Sequence, residues 1–132
     1  MIKLDELDLS SPSEIGYEFE YISEASGMPH GIFITVVGAH SNRVKAWMRK
    51  ELNRIRQQEA FAKKRGKSEE IRSVEDDEDF GIQSAAIRII GWRGIEPEYT
   101  PELAVALCAM NNEIRTQAVA ASDELANFIK RK

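Results

Sequence analysis

The residues that most often carry enzyme chemistry are sparse in this 132-residue chain. Its two histidines, His30 and His40, each lie beside a turn-forming segment, and neither has a Cys, Asp or Glu at metal-ligand spacing. Because a zinc site needs three or four clustered ligands, a surface or turn role is the better interpretation of both histidines. The acidic run at residues 75–79 lacks the alternating ligands and central glycine of a calcium-binding loop, so a solvated charge run is favoured over a cation site.

The single cysteine, Cys108, lies among apolar residues on a predicted helix, without a positive neighbour that would activate it. It is therefore interpreted as a buried, unreactive thiol, and a lone cysteine is most simply explained by a reducing compartment. The Gly-Trp-Arg-Gly stretch at residues 91–94 has the wrong spacing for a phosphate-binding loop, and no serine stands in a nucleophile-elbow context. The sequence therefore predicts a protein that is not an enzyme and that has no metal or cofactor.

The strongest chemical signal is a segregation of charge, which the net charge of −4 conceals. Residues 41–67 contain ten basic and two acidic side chains, whereas residues 1–40 and residues 68–79 each contain one basic and seven acidic side chains. A basic segment between two acidic ones is a candidate partner-binding surface. The basic residues assigned to that surface are Arg43, Arg49, Lys50, Arg54 and Arg56.

Three interpretations of the basic segment remain open at the level of sequence. It is a solvated helix answered by the chain's own acidic segments, or it binds an acidic protein, or it binds phosphates of a nucleic acid. The second interpretation includes self-association, in which an acidic segment of one copy meets the basic helix of the next. A pI near 5.3 and the lack of a nucleic-acid-reading motif argue against nucleic acid.

The basic side chains are predicted to lie on one long helix. Apolar residues recur along the segment at helical spacing: Val44, Trp47, Met48, Leu52 and Ile55. This period predicts a helix over about residues 42–64 that stops near Gly66, with the basic residues on its other faces. Trp47 and Met48 are interpreted as core contacts of this helix rather than as partner contacts.

A β-hairpin is predicted before the helix. Three aromatic residues alternate with glutamates in the period of a half-buried strand: Tyr17, Phe19 and Tyr21. A β-branched run follows at residues 32–37, after turn-forming residues 27–31, and residues 1–15 are expected to be a flexible lead-in. Because an isolated hairpin is only marginally stable, it must pack on helices or pair with another chain.

The C-terminal half is predicted to contain three more helices. Apolar spacing predicts a helix over about residues 77–90, and the acidic residues 66–79 are expected to be a mobile linker or the frayed lead into that helix. Thr100, followed by proline and glutamate, is a strong helix start, and a final helix capped by asparagine is expected to reach about residue 129. The chain is thus predicted to be a single α+β domain, predominantly helical, with about four helices and a small N-terminal antiparallel hairpin.

Trp92 is the remaining candidate for a partner contact. It stands between two glycines in the loop predicted after residue 90. A ring that fills the core where the loop turns is the first interpretation, and an interface anchor is the second.

The sequence also bears on the compartment. Residues 1–10 carry four charged side chains where a signal peptide needs an apolar run. The apolar stretches fall far short of the ~20 residues that a membrane span requires. A cytoplasmic protein without membrane contact is expected.

Four stretches, taken in order, resemble the tail assembly chaperones of long-tailed bacteriophages and prophages. They are the strand at residues 31–38, the basic helix at 43–67, the Gly-Trp-Arg-Gly and Tyr-Thr-Pro-Glu stretch at 90–102, and the closing helix that contains Asn111, Asn127 and Phe128. Together they cover about residues 30–129, whereas the acidic segment through about residue 26 has no counterpart in the resemblance.

The resemblance implies a non-catalytic function in assembly. A protein of this family binds the long helical tape measure protein, keeps it soluble and promotes polymerisation of the tail tube around it. The resemblance also implies a homo-oligomer or open helical array and, in many members, a second form lengthened by a programmed frameshift. The implied location is the cytoplasm of the infected or lysogenic bacterial host, not the mature virion. The alternative is a small interaction or regulatory protein whose basic helix binds an acidic protein or nucleic acid.

Overall fold

The computed structural model of the chain describes residues 1–64 and 74–129. Three antiparallel strands form one sheet in the order β1 (Tyr17–Ile22), β2 (Pro29–Val36) and β3 (Ile89–Arg93). The helices are α1 (Ser10–Ser13), α2 (Asn42–Lys64), α3 (Val74–Arg88), α4 (Pro101–Met110) and α5 (Asn112–Asp123). Short 3-10 turns lie at Leu4–Leu7 and Leu125–Asn127.

The predicted α+β class and the predominance of helix are confirmed, and the hairpin is present as β1 and β2. The hairpin is however part of a larger sheet. The sequence pattern predicts a helix up to residue 90 and a loop after it, but residues 89–93 form β3, with Trp92 opposite Ile34 and Gly91 opposite Thr35. A third strand gives the hairpin the partner that its marginal stability requires.

Both segments that are expected to be flexible contain helical turns. Helix α3 begins at Val74, so residues 74–79 are helical rather than part of a linker, and their acidic side chains lie at the positive end of the helix dipole. The rest of that linker, with the predicted helix stop at Gly66, lies outside the described residues. Part of the lead-in is also packed, because Ser13 is fully buried and its carbonyl oxygen accepts a hydrogen bond from the Gly38 amide at 2.8 Å.

The last helix is shorter than expected. Helix α5 ends at Asp123 because Glu124 adopts an extended backbone, and a 3-10 turn follows. Phe128 nevertheless remains buried and packs edge-on against the ring of Tyr17, with the ring centroids 6.1 Å apart. The C-terminal turn therefore closes over the sheet without being helical throughout.

The core lies between the sheet and helices α3, α4 and α5. Its largest fully buried apolar side chains are Ile34, Val36, Ile89, Cys108 and Ile114. Alternate residues of β2 point to this face, as the period of a half-buried strand requires. Helix α2 contributes little to the core, because Val44 is its one buried residue.

Candidate docking surface on helix α2

The one buried side chain of helix α2, Val44, lies in its first turn. The buried Ser41 hydroxyl accepts a hydrogen bond from the Val44 amide at 3.3 Å and caps the helix. The half-buried Trp47 packs against Phe80 of α3, with ring centroids 5.2 Å apart. With 23 residues, α2 is about 35 Å long, so much of its length extends past these contacts.

The five predicted basic residues lie on α2, but they do not have the same surroundings. Arg43 Nε donates a hydrogen bond to the carbonyl oxygen of Ile87 at 2.6 Å, at the C-terminal end of α3, where a cation is favourable. Arg54 forms an ion pair with Glu51, one turn earlier, at 2.9 Å. Both arginines therefore have a role within the chain.

The other three predicted basic residues are directed to solvent. Arg49, Lys50 and Arg56 are exposed, and none forms an ion pair with a residue that the structure describes. Arg49 and Arg56 are seven residues apart, about two helical turns, so they lie along one side of α2. Lys45, four residues before Arg49, continues the same row of cations.

The acidic start of α3 faces the other side of α2. Asp76 and Asp79 line a pocket together with Arg54 and Gln58 of α2. Acidic side chains of α3 therefore lie near one side of α2. The row of Lys45, Arg49 and Arg56 is not part of that pocket.

An open groove of about 480 Å³ runs beside the first half of α2, next to this row of cations. Its apolar lining residues are Ala39, Val44, Met48 and Leu52. The basic residues that line it are the exposed Lys45 and Arg49 and the buried Arg88. Leu52 is 44% exposed, which is high for a leucine beside other apolar side chains. The surface thus offers an apolar strip with a positively charged margin.

Arg88 was not singled out by the sequence, although it is the one base in the last turn of α3. Its guanidinium group donates to the Asp123 carboxylate at 2.6 Å, to the Ser122 hydroxyl at 3.3 Å and to the Ser84 carbonyl oxygen at 3.2 Å. Because Asp123 compensates its charge, the positive character of the groove comes from Lys45 and Arg49.

Trp92, the remaining candidate for a partner contact, lies on β3 rather than on the basic helix α2. Its half-buried ring meets the ring of Tyr99 edge-on at 5.3 Å, and its Nε1 donates a hydrogen bond to the carbonyl oxygen of Pro97 at 3.1 Å. Tyr99 in turn donates its hydroxyl to the Ile89 carbonyl oxygen at 2.9 Å. These contacts hold the loop after β3 against the sheet, which favours the core interpretation of Trp92 over the interface anchor.

The other groups considered as chemical candidates are dispersed. His30 lies on the exposed part of β2, and His40 is exposed just before α2. Cys108 is fully buried on α4, and burial raises the pKa of its thiol to about 11. Within residues 1–64 and 74–129, no three His, Cys, Asp or Glu side chains are grouped so that they could hold a metal ion. No helix in those ranges is long and apolar enough to cross a membrane.

No protein-family model matches the chain, and no curated protein or solved structure is significantly similar to it. The candidate docking surface on α2 is therefore characterised by its own geometry and charge.

Proposed function

We propose that this protein is a tail assembly chaperone of a long-tailed bacteriophage or prophage. It binds the tape measure protein without catalysing a reaction, keeps it soluble and promotes polymerisation of the tail tube around it. The observation that carries the proposal is the surface of α2, on which exposed cations that have no ion pair among the described residues lie beside exposed apolar side chains. Such a surface fits an amphipathic helix with apolar and acidic residues.

A chaperone of this kind must cover a long helix and later release it. Exposed apolar side chains supply the contact that hides a partner's apolar stripe from water, and such contact is not specific in direction. The exposed cations Lys50 and Arg56 add attraction over a longer range and select acidic partners. Helices that associate side by side match rows of residues that recur every two turns, which is the spacing of Arg49 and Arg56.

The order of elements also supports the proposal. Strand β2 precedes the basic helix α2, the Gly-Trp-Arg-Gly stretch follows it, and α4 and α5 end the described chain. Thr100 caps α4 by accepting a hydrogen bond from the Leu103 amide at 3.1 Å, and Asn111 caps α5 in the same way. This is the succession on which the resemblance to tail assembly chaperones rests.

The proposal includes the setting that the function requires. The protein acts in the cytoplasm of the infected or lysogenic bacterial host and is absent from the finished virion. It associates with further copies of itself, and a longer frameshifted form of the chain is a further partner.

Co-expression with the large helical protein encoded downstream tests the proposal. Without this chain, the downstream protein is expected to be insoluble. With this chain, it should be soluble and should co-purify with it. The double variant Lys50→Glu/Arg56→Glu reverses two exposed cations that have no ion pair among the described residues, so it should fold normally and lose the partner. The matched control Lys50→Arg/Arg56→Lys keeps both charges and should retain it. A partner that is equally soluble alone and never co-purifies contradicts the function, and binding by the charge-reversed variant contradicts the assignment to α2.

The exposed cations also favour one other candidate function, binding of nucleic acid by α2. Phosphate binding by lysine and arginine weakens steeply as salt concentration rises, because bound counterions are released. A DNA-binding assay titrated with salt distinguishes the two functions. Tight binding with a steep salt slope supports the nucleic-acid function and removes the basis for the chaperone proposal.

A further inference from the structure

The N-terminal segment, defined here as residues 2–9, exposes its apolar side chains. Those side chains are Ile2, Leu4, Leu7 and Leu9. Leu4 is 87% exposed and Leu7 is 63% exposed, and the 3-10 turn at Leu4–Leu7 places these two leucines on one side, because its residues repeat every three positions. Single exposed leucines are common on protein surfaces, but four apolar residues within eight form a continuous strip that a partner can cover.

Acidic residues lie between these apolar residues in the sequence. Asp5 and Glu6 are exposed and form no ion pair with any described residue. Asp8 accepts hydrogen bonds from the amide and the hydroxyl of Ser10, at 3.0 and 2.8 Å, and these bonds attach the segment to the start of α1. With Lys3 as its one base and three acids, the segment has a net charge of −2, and Asp8 attaches it to the start of α1.

The groove beside α2 has the complementary character. Met48 and Leu52 provide its apolar strip, and the exposed Lys45 and Arg49 provide its positive margin. The two acids between Leu4 and Leu7 thus correspond to the two bases that lie along one edge of the apolar strip. Apolar contact and opposite charge are matched over the same short length of chain.

We propose that the N-terminal segment of one copy of this chain occupies the groove beside α2 of a second copy. Leu4 and Leu7 pack on Met48 and Leu52, while the two acids face the two bases. The partner is a second copy because within one molecule Leu4 and Leu7 are exposed and no residue of the segment lines the groove.

The contact joins two different surfaces, so each added copy leaves one segment and one groove available. Such a heterologous contact produces an open array or a ring. The inference rests on the proposed function for its purpose: this groove joins copies into an array, and the exposed Lys50 and Arg56 of each copy stay available to the long helical protein. Its test uses this chain alone, so the failure of one proposal is distinguishable from the failure of the other.

Complementation between two defective variants tests the contact. Leu4→Asp/Leu7→Asp disables the segment, and Leu52→Glu disables the groove at a side chain that is already 44% exposed, so both variants should fold. Each variant alone should associate at least ~10-fold more weakly than wild type in sedimentation velocity. Mixed in equal amounts, they should form a one-to-one complex, because the intact groove of the first accepts the intact segment of the second.

Two controls complete the experiment. Met110→Glu introduces a charge at an apolar side chain that is 75% exposed but belongs to neither surface, and it should associate like wild type. Asp5→Lys/Glu6→Lys alone and Lys45→Glu/Arg49→Glu alone should each abolish association. The quadruple variant that combines them exchanges the charges of segment and groove and should restore it. A wild-type chain that stays monomeric, or a mixture of the two defective variants that stays monomeric, overturns the proposal.

Discussion

Arg88 and Asp123 join the end of α3 to the end of α5, with the arginine Nη1 and the aspartate Oδ1 2.6 Å apart. The guanidinium group is buried, whereas the aspartate side chain is 56% exposed. The backbone of Arg88 also accepts a hydrogen bond from the Val37 amide at 2.8 Å, and the Ser122 hydroxyl donates to the Val37 carbonyl oxygen at 2.7 Å. One buried cation thus lies where two helices meet the end of β2.

Replacing Asp123 by alanine should destabilise the protein. The substitution leaves a buried guanidinium group without its counterion, and the two remaining neutral acceptors do not replace a carboxylate. Because water reaches Asp123, the expected loss is about 1–2 kcal/mol of unfolding free energy, below that of a fully buried pair.

Urea denaturation followed by circular dichroism measures the effect of Asp123→Ala. The control is Glu98→Ala, which removes an exposed carboxylate and should change the unfolding free energy by less than about 0.5 kcal/mol. Equal stabilities of the two variants would show that the Arg88–Asp123 pair contributes nothing.

Strand β1 is attached to α5 by a second charged contact, which gives the next prediction. The Tyr21 hydroxyl donates to the Glu113 carboxylate at 2.5 Å, and the Glu24 amide donates to the other carboxylate oxygen at 2.9 Å. In a double-mutant cycle with Tyr21→Phe and Glu113→Gln, we expect a coupling energy of about 1 kcal/mol, since a hydroxyl bonded to a charged acceptor is a strong hydrogen bond. Strictly additive effects in urea denaturation would argue against that bond.

How far the sequence predicted the fold depends on whether each signal is local. The helix expected over residues 42–64 is observed as Asn42–Lys64, because its apolar period and its end signals lie within the segment. The helix start at Thr100 is also predicted from local signals, since the capping residue, the proline and the acidic residue are adjacent in the sequence. Strand β3 was missed because it forms by pairing with β2, more than fifty residues earlier, and its two isoleucines fit a helical period as well as a strand.

The candidate site was predictable in type but not in detail. Spacing alone places the basic residues on an exposed helix, and the structure agrees. It does not reveal that Arg43 is bonded to the carbonyl oxygen of Ile87, 44 positions away, or that Arg88 closes one side of the groove. These are tertiary contacts, so no local pattern distinguishes Arg43 from the outward-facing Arg49.

Gly94 should tolerate no side chain. Its φ of +82° is unfavourable for other residues, and a Cβ there would overlap the carbonyl oxygen of Gly31. We expect Gly94→Ala to lower the unfolding free energy by about 2 kcal/mol or more, from strain and from displacement of β2. The control is Gly91→Ala, three residues earlier in β3, where a Cβ meets nothing within 4 Å and where the effect should be small. Thermal denaturation of both variants compares them, and equal melting temperatures would contradict the prediction.

Cys108 should be unreactive in the folded protein and should make stability depend on alkaline pH. Burial raises the pKa of the thiol from 9.0 to about 11, and Arg115 offsets part of that increase. Iodoacetamide in mildly alkaline buffer should therefore label Cys108 in the unfolded chain but not in the folded one.

The linked effect on stability has a definite sign. Between pH 9 and pH 11 the unfolded chain loses the thiol proton while the folded chain keeps it, so the unfolded state is favoured as pH rises. Cys108→Ala removes this titration, so its unfolding free energy should fall by about 2 kcal/mol less than that of wild type across that range. The small cavity makes the variant less stable than wild type at neutral pH. Urea denaturation of both proteins at a series of pH values makes the comparison. Parallel pH profiles would mean that the thiol ionises in the same range in both states, because a pKa raised by burial must appear as a difference between the two slopes.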